Sequence, residues 1–504
     1  MRSGAAMISL LLALNAVAQE KPPCRMGMQT RQEMKAGHPS SQASAADSMQ
    51  AGRSTTHDTK HLQEPENPTH KTGRNLPTPE LLLDVALRPA KSLTDFLNIA
   101  SRSNPTITQA NELVRKSEAQ ARQAGLYPNP TAGYQGEQIR GGDYGGGEQG
   151  GFVQQTIILG GKLTLRREIY RQQTASDRIG VEEQTLRVNG DIQQVFYTTL
   201  AAQALVDVRR RLLGVTLDAV ETVHQLANVG QADAPDILQT EVESEQATVD
   251  YVAAQREFLA DFHTLAALTG VSNLPPCPLY GDLLTTPSIK VEEQITQLLT
   301  ESPEVHRAQQ EVVVAEARLK ASRREPVPDL QLQVGAQYNG ELVSESPNRT
   351  TGFQSLASAS IDLPLWNRNQ GNIAAAKAEV ERAQQDVTRM QLRLQQEAEQ
   401  LAQAYETARF ESDRYETELI PRAQRAYELY LTKYQAMAQA YPQVIVSQRT
   451  LFQLQVGYLL ALRETWRNAL ALRNFTLAGG LNAPQASGSS TTSINSPSPG
   501  GSQE

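Results

Sequence analysis

The side chains with the most chemical potential crowd toward one end of the chain. Cys24, Met26, Met28, Met34, His38, Met49, His57, His61 and His70 gather thiol, thioether and imidazole groups, the donors that soft ions such as Cu(I) prefer. Four of the seven histidines fall here, but no spacing fixes a coordination geometry. Cys24, Met26, Met28, His38, His57 and His61 are kept as weak candidate metal ligands, with solvated disorder as the competing reading. Elsewhere His224, His263 and His306 stand alone on helical patterns, with neither a nucleophile nearby nor a metal-ligand spacing. Gly145 to Gly150 spells G-x-G-x-x-G, yet it lies between two strand-like runs and opens no helix, so it reads as a loop and not a phosphate cradle. Asn348-Arg349-Thr350 is a glycosylation sequon by letter only. With no catalytic constellation, the chain is expected to be no enzyme and to need no cofactor.

The elements that must position everything else begin with an export signal. Met1-Arg2-Ser3, an apolar run from Met7 to Val17 and Ala16-Val17-Ala18 form an n-region, an h-region and a cleavage site, giving a signal peptide over 1–18. Lys21-Pro22-Pro23 before Cys24 does not fit a lipidation signal, and a disulfide between Cys24 and Cys277 is permitted but not required. Residues 19–90 and 483–504 are polar and lack periodicity, so both read as disordered tails. The formal charge of -8 gives no basic surface for nucleic acid. Beyond the signal no run reaches the roughly 18 apolar residues of a membrane helix, so any membrane crossing must use strands.

Between the tails the chain repeats itself. Asn104-Pro105 and Tyr127-Pro128-Asn129-Pro130 recur as Ser302-Pro303 and Glu325-Pro326-Val327-Pro328 at an offset of 198 residues, and Gly151-Phe152 recurs as Gly352-Phe353 at 201. Two copies of one plan follow: a first repeat over 91–290 and a second over 291–482. In the second, Leu330, Leu332, Val334, Ala336 and Tyr338 alternate with Asp329, Gln331, Gln333, Gly335 and Gln337, the period of a two-faced strand. Strands are expected at about 131–140, 151–159, 329–338 and 353–363, and helical hairpins at about 162–270 and 370–480. Ile373, Ala376, Val380, Ala383, Val387, Met390, Leu394, Glu397, Leu401, Ala404 and Ala408 alternate spacings of three and four, a supercoiled seam in which only Glu397 is out of character. Leu213, Leu217 and Val220 share this spacing, and Pro421 should kink or break the second long helix.

The fold class is therefore mainly α with a small β part. Four two-faced strands cannot close a barrel, and an open sheet edge in hydrocarbon is prohibitively costly, so the strands must be pooled between copies. The glutamines and Asp329 would then line a wet lumen. Tyr127, Tyr134, Tyr144, Tyr338, Phe353 and Trp366 sit near strand ends, where they could form interface belts or pack in a core.

The duplicated plan, the Pro-x-Pro before strands one and three, Leu159-Gly160-Gly161-Lys162 and Leu363-Pro364-Leu365-Trp366-Asn367 resemble the TolC family of outer-membrane efflux proteins over about residues 91 to 482. Within it the chain is most similar to the branch of heavy-metal (cobalt-zinc-cadmium or copper) resistance. The resemblance implies a homotrimer in outer-membrane lipid whose twelve strands form one barrel, continued by a periplasmic helical tunnel. It further implies a passive exit duct for metal ions or small toxic compounds, working with a periplasmic adaptor (membrane fusion) protein and an inner-membrane pump. The alternatives are a periplasmic coiled-coil adaptor or a structural protein of the envelope.

By the same resemblance, Val229, Gly230 and Gln231 form a first adaptor-docking tip and Ala436, Met437 and Ala438 a second. Asp236 stands where the family commonly has an aperture aspartate, and with Asp233 it could form acidic rings; ordinary helix capping is the competing account. The second tip lacks the glycine and the charged residues that lock the closed aperture in well-known members.

Overall fold

The computed structural model describes residues 85, 87–139, 147–343, 346–436, 438 and 441–485. The signal peptide, the candidate ligands Cys24, Met26, Met28, His38, His57 and His61, Tyr144, Met437, most of the glycine loop and the segment after 485 lie outside them.

Each half opens with two helices divided by a proline. Asn104 ends α1 (Leu93–Ser103) and caps α2 (Pro105–Ala124), accepting from the Thr106 N–H at 2.9 Å and donating to the Leu268 carbonyl at 2.7 Å. Pro105 takes the first helical position, where a missing N–H costs nothing. A two-residue strand β1 (Lys91–Ser92) pairs in parallel with β4 (Leu279–Tyr280). In the second half Ser302 and Pro303 separate α5 (Val291–Glu301) from α6 (Pro303–Arg324) in the same manner.

After these helices come two hairpins that join in one antiparallel sheet, ordered β2 (Thr131–Glu137), β3 (Glu148–Ile157), β5 (Leu330–Val343), β6 (Ser346–Ile361). The second hairpin is longer than the expected 329–338 and 353–363, whereas β2 stops short of 140. Ladder hydrogen bonds join backbones, so pairing continues where side-chain alternation lapses. Among the described residues the first and last strands, β2 and β6, each have one partner only.

From the sheet the chain passes into long helices through left-handed residues, Gly161 (φ 71°) before α3 and Asn369 (φ 61°) before α7. The helix α3 (Lys162–Asn228) has 67 residues, about 100 Å at 1.5 Å per residue, and returns as α4 (Ala234–Leu268). Its counterpart α7 (Gln370–Arg414) runs through a π-helical turn (Tyr415–Leu419) into α8 (Ile420–Gln435) and returns as α9 (Tyr441–Arg473). Pro421 therefore does not break the helix. Ile420 donates to the carbonyl of Tyr415, a bond one residue longer than the α pattern, and the widened turn accommodates the proline that follows. Tyr415 lies over Gly457 of α9, where an added Cβ would stand 2.8 Å from its hydroxyl.

The seam on α7 differs from the expected one. Ala383, Leu394 and Ala408 are buried as expected, but between Leu394 and Ala408 the buried positions are Ala398, Ala402 and Tyr405, and Ala404 is exposed. Glu397 lies outside the seam, with Arg393 3.7 Å away. The stripe steps by four twice, at Leu394–Ala398 and Ala398–Ala402, and by three twice, rejoining the expected register at Ala408. The cause is non-local: the Tyr405 hydroxyl donates to the Pro287 carbonyl at 2.8 Å and accepts from the Ile289 N–H at 3.2 Å. On α3 Leu213, Ala219 and Val223 are buried, and Leu217 is 53% exposed.

The main core lies where α1, α3, α4 and α9 meet. Phe96, Phe196, Phe258 and Phe262 are fully buried there, each burial stabilising the fold by about 2 kcal/mol. A charged cluster ties the two halves. Glu183 on α3 accepts from Arg187 at 2.5 Å and from Arg307 of α6 at 3.2 Å, and Glu304 of α6 pairs with Arg393 of α7 and lies 4.0 Å from Arg187. Burial pushes the Glu304 carboxyl above its ordinary value in spite of the two arginines. A raised acid is penalised when ionised, so the penalty is absent below the unfolded-state value and complete above the folded one. Thermal stability measured from pH 4 to pH 7 is therefore expected to fall through the range just above the ordinary carboxyl value, and Glu304→Gln should remove that component of the slope.

Candidate functional site: sheet face, junction and helical tips

The sheet has two chemically distinct faces. Leu330, Leu332, Val334 and Tyr338 of β5 share one with Val153, Ile157, Phe353 and Ile361 across the ladders. Tyr134, Val334 and Phe353 are 67, 60 and 84% exposed, a greasy surface that one subunit leaves in the open. The opposite face carries Gln331, Gln333 and Gln337 beside Gln154 and Gln354. Here amides bridge strands: Gln154 donates to Gln331 at 3.3 Å, and Glu148 accepts from Gln337 at 2.6 Å and Asn339 at 2.7 Å. The expected alternation is thus present, and the exposure of Tyr127, Tyr134, Tyr338, Phe353 and Trp366 accords with interface belts and not with core packing.

Asp329 is not part of that wet face. It stands just before β5, where it accepts from the Leu159 N–H at 3.1 Å and from Lys162, 95% buried at the start of α3, also at 3.1 Å. Arg166 and Glu325 add a second pair at 2.9 Å. Gly160, at φ 70° and against Val327, lets the chain turn closely there. The strand-to-helix junction is therefore pinned by charge in the first half.

At the first tip α3 ends on Asn228 and the chain reverses through Val229, Gly230 and Gln231. Gly230 has φ 75° and nothing within 4 Å of an added Cβ, so only the backbone requires glycine. Gly230→Ala is expected to cost about 1 kcal/mol, raising amide exchange over 229–237 about fivefold with the global melting temperature unchanged. Val229 is 69% exposed, at the apex. Asp233 and Asp236 cap α4 reciprocally: each side chain accepts the other's backbone N–H at 3.3 Å. Capping thus accounts for both aspartates, and their exposure leaves one carboxylate oxygen of each facing water.

At the second tip Ala438 donates to the Lys433 carbonyl at 2.9 Å, past Ala436. Rings replace charges: Tyr434 and Tyr441 are 5.1 Å apart, and burial pushes the Tyr441 hydroxyl above its ordinary value beside Thr222 of α3. His224 is not isolated but lies 3.3 Å from Glu241 across the first hairpin, while His263 and His306 are exposed. Arg449 reaches Glu243 at 3.2 Å and Arg463 reaches Glu257 at 3.0 Å. Both pairs share an offset of 206 residues, a regularity that could have flagged α4 and α9 as parallel neighbours. Among the described residues no group of three or more His, Cys, Asp or Glu could hold a metal ion, and no helix is long and apolar enough to cross a membrane.

This arrangement has counterparts. The model of the family "Outer membrane efflux protein" matches residues 294–476. The cobalt-zinc-cadmium resistance protein CzcC of Cupriavidus metallidurans is 24% identical over 384 residues, 76% of this chain and 88% of that protein. Crystal structures of CusC align with a TM-score of 0.62 at 18% identity, covering 78% of this chain and 94% of theirs. The outer membrane protein VceC of Vibrio cholerae gives 0.62 at 16%, covering 77% and 96%. The family model thus matches part of the second half, and over most of its length the chain shares the fold of these outer membrane channels.

Proposed function

We propose that three copies of this chain pool their strands into one barrel in the outer membrane and that their helical hairpins continue the bore into the periplasm. The carrying observation is a four-stranded sheet, greasy on one face and amide-lined on the other, whose first and last strands each have an unpaired outer edge among the described residues. Such a sheet meets the demand of hydrocarbon for complete backbone pairing only when its edges join those of other copies. The protein is the channel component of a tripartite efflux system, a duct and not an enzyme. Residues 91–290 and 291–482 act as its two repeats. Val229, Gly230 and Gln231, with Ala436, Met437 and Ala438, present the surfaces on which a periplasmic adaptor docks, and an inner-membrane pump supplies the driving force.

The exported solutes are cations, with divalent metals first, a reading supported by the kinship with a cobalt-zinc-cadmium resistance protein and by acidic groups at the first tip. Asp233 and Asp236 serve as caps and, repeated about the axis, as acidic rings. Expression of the full chain should place it in the outer-membrane fraction, with a mass in detergent about three times that of the mature subunit. Deletion of its gene should lower tolerance to cobalt, zinc or cadmium. Recovery as a soluble monomer would reject the barrel, and unchanged metal tolerance would reject the substrate class alone. Asp236→Ala should reduce cation preference in planar bilayers.

A further inference from the structure

One row of the amide-lined face breaks the pattern. Gly133, Phe152, Gly335 and Leu356 are consecutive ladder partners, so they cross all four strands on a single level. The row on one side is Gln135, Gly150, Gln337 and Gln354, and that on the other is Thr131, Gln154, Gln333 and Ser358. An apolar stripe thus runs between two polar ones, from one unpaired edge of the sheet to the other. Four residues along the strands, about 13 Å at 3.3 Å per residue, Glu137 pairs in register with Glu148 on the same face, toward the hairpin loops. Glu137 accepts from Gln135 and Glu148 from Gln337 and Asn339. Among the described residues neither carboxylate has a lysine or arginine partner.

We propose that the inner wall of the barrel carries a transit site for hydrophobic organic cations, an apolar girdle through Phe152 and Leu356 below a carboxylate rim through Glu137 and Glu148. It rests on the barrel function proposed above. Closure sets one such stripe on the inner wall in each copy, staggered by the tilt of the strands, so three apolar segments face the bore. The rim concentrates cations without discriminating among them. The girdle discriminates: it offers an aromatic face and an aliphatic side chain to a solute with an apolar part, and nothing to a hydrated metal ion.

The pose of Phe152 supplies a handle. The end of its ring covers Gly133, with ring atoms 2.6 and 2.8 Å from where a Cβ would stand. A ring covering a cross-strand glycine also stiffens a sheet. That role explains neither Leu356 on the far side of Gly335 nor the continuity of the row between the edges.

The test uses the full chain in planar bilayers, with phenyltrimethylammonium or tetramethylammonium added at the barrel mouth. The two carry equal charge and differ by a ring. The phenyl cation is expected to reduce open-pore current at concentrations where tetramethylammonium does not. Combined Phe152→Gln and Leu356→Gln should raise its half-blocking concentration about tenfold. Gly133→Ala, which lifts the ring off the wall, should lower it, and Glu137→Gln with Glu148→Gln should weaken the effect of both cations alike. Equal block by both cations in the unaltered channel would overturn the girdle while leaving the barrel intact. If the glutamine pair fails to assemble, Gly133→Ala decides, and an unchanged half-blocking concentration again overturns it. Absence of any channel from the unaltered protein would overturn the barrel itself.

Discussion

Proline at Ala357 and proline at Ser358 are each expected to abolish the assembled channel, leaving subunits that run as monomers in detergent and confer no metal tolerance. Both residues lie in the middle of β6, the last strand of the sheet. In an antiparallel strand successive N–H groups point alternately to opposite sides, so one of these two donates toward β5 and the other points away. Were β6 a true edge facing water, the outward position would tolerate proline, which edges commonly do. If instead β6 pairs with β2 of another copy, both N–H groups are committed. Each lost bond then strands a carbonyl in hydrocarbon at a cost of several kcal/mol, repeated in every subunit. Light scattering on the two purified variants gives the answer: an oligomer that survives in either one shows that the edge is free.

How far the sequence disclosed this molecule depended on the range of the forces involved. The strands of the second hairpin were legible because Leu330, Leu332 and Val334 alternate without interruption with glutamines. The first hairpin was faint because Gly133, Gly136, Gly150 and Gly151 remove the side chains that would mark its faces. The long helices were legible from their apolar stripes, but the level at which the α7 stripe steps was not. That step is set by Tyr405 reaching Pro287 and Ile289, more than one hundred residues away in the chain. The same holds for Asp329: alternation alone put it on the wet face, whereas the buried Lys162 draws it to the junction. At the tips, Gly230 and the caps at Asp233 and Asp236 followed from local rules. The contact between hairpins at Tyr441 and Thr222 needed three dimensions.

The ionic cluster joining the halves is the clearest case of a feature without a sequence signature, and it carries the second large expected effect. Arg187 is 16% exposed and bonds Glu183, itself 7% exposed, while extending toward Glu304. Replacement of Arg187 with Met keeps an unbranched apolar stem and removes the charge, leaving two mostly buried carboxylates to share Arg307 and Arg393. A buried charge that loses a partner keeps its desolvation penalty, so the expected loss is about 3 kcal/mol. Arg382→Met is the matched control. Arg382 also bridges two acids, Glu379 and Asp386, but is 60% exposed, where water screens the pairs and the loss stays below about 1 kcal/mol. Helical melting followed by circular dichroism should therefore drop by several degrees for Arg187→Met and hardly at all for Arg382→Met. Adding Glu183→Gln to Arg187→Met should recover part of the loss, because it withdraws the charge that the first substitution stranded. Equal melting of the two arginine variants would mean that the cluster is solvated in the assembled channel and that apolar packing alone joins the halves.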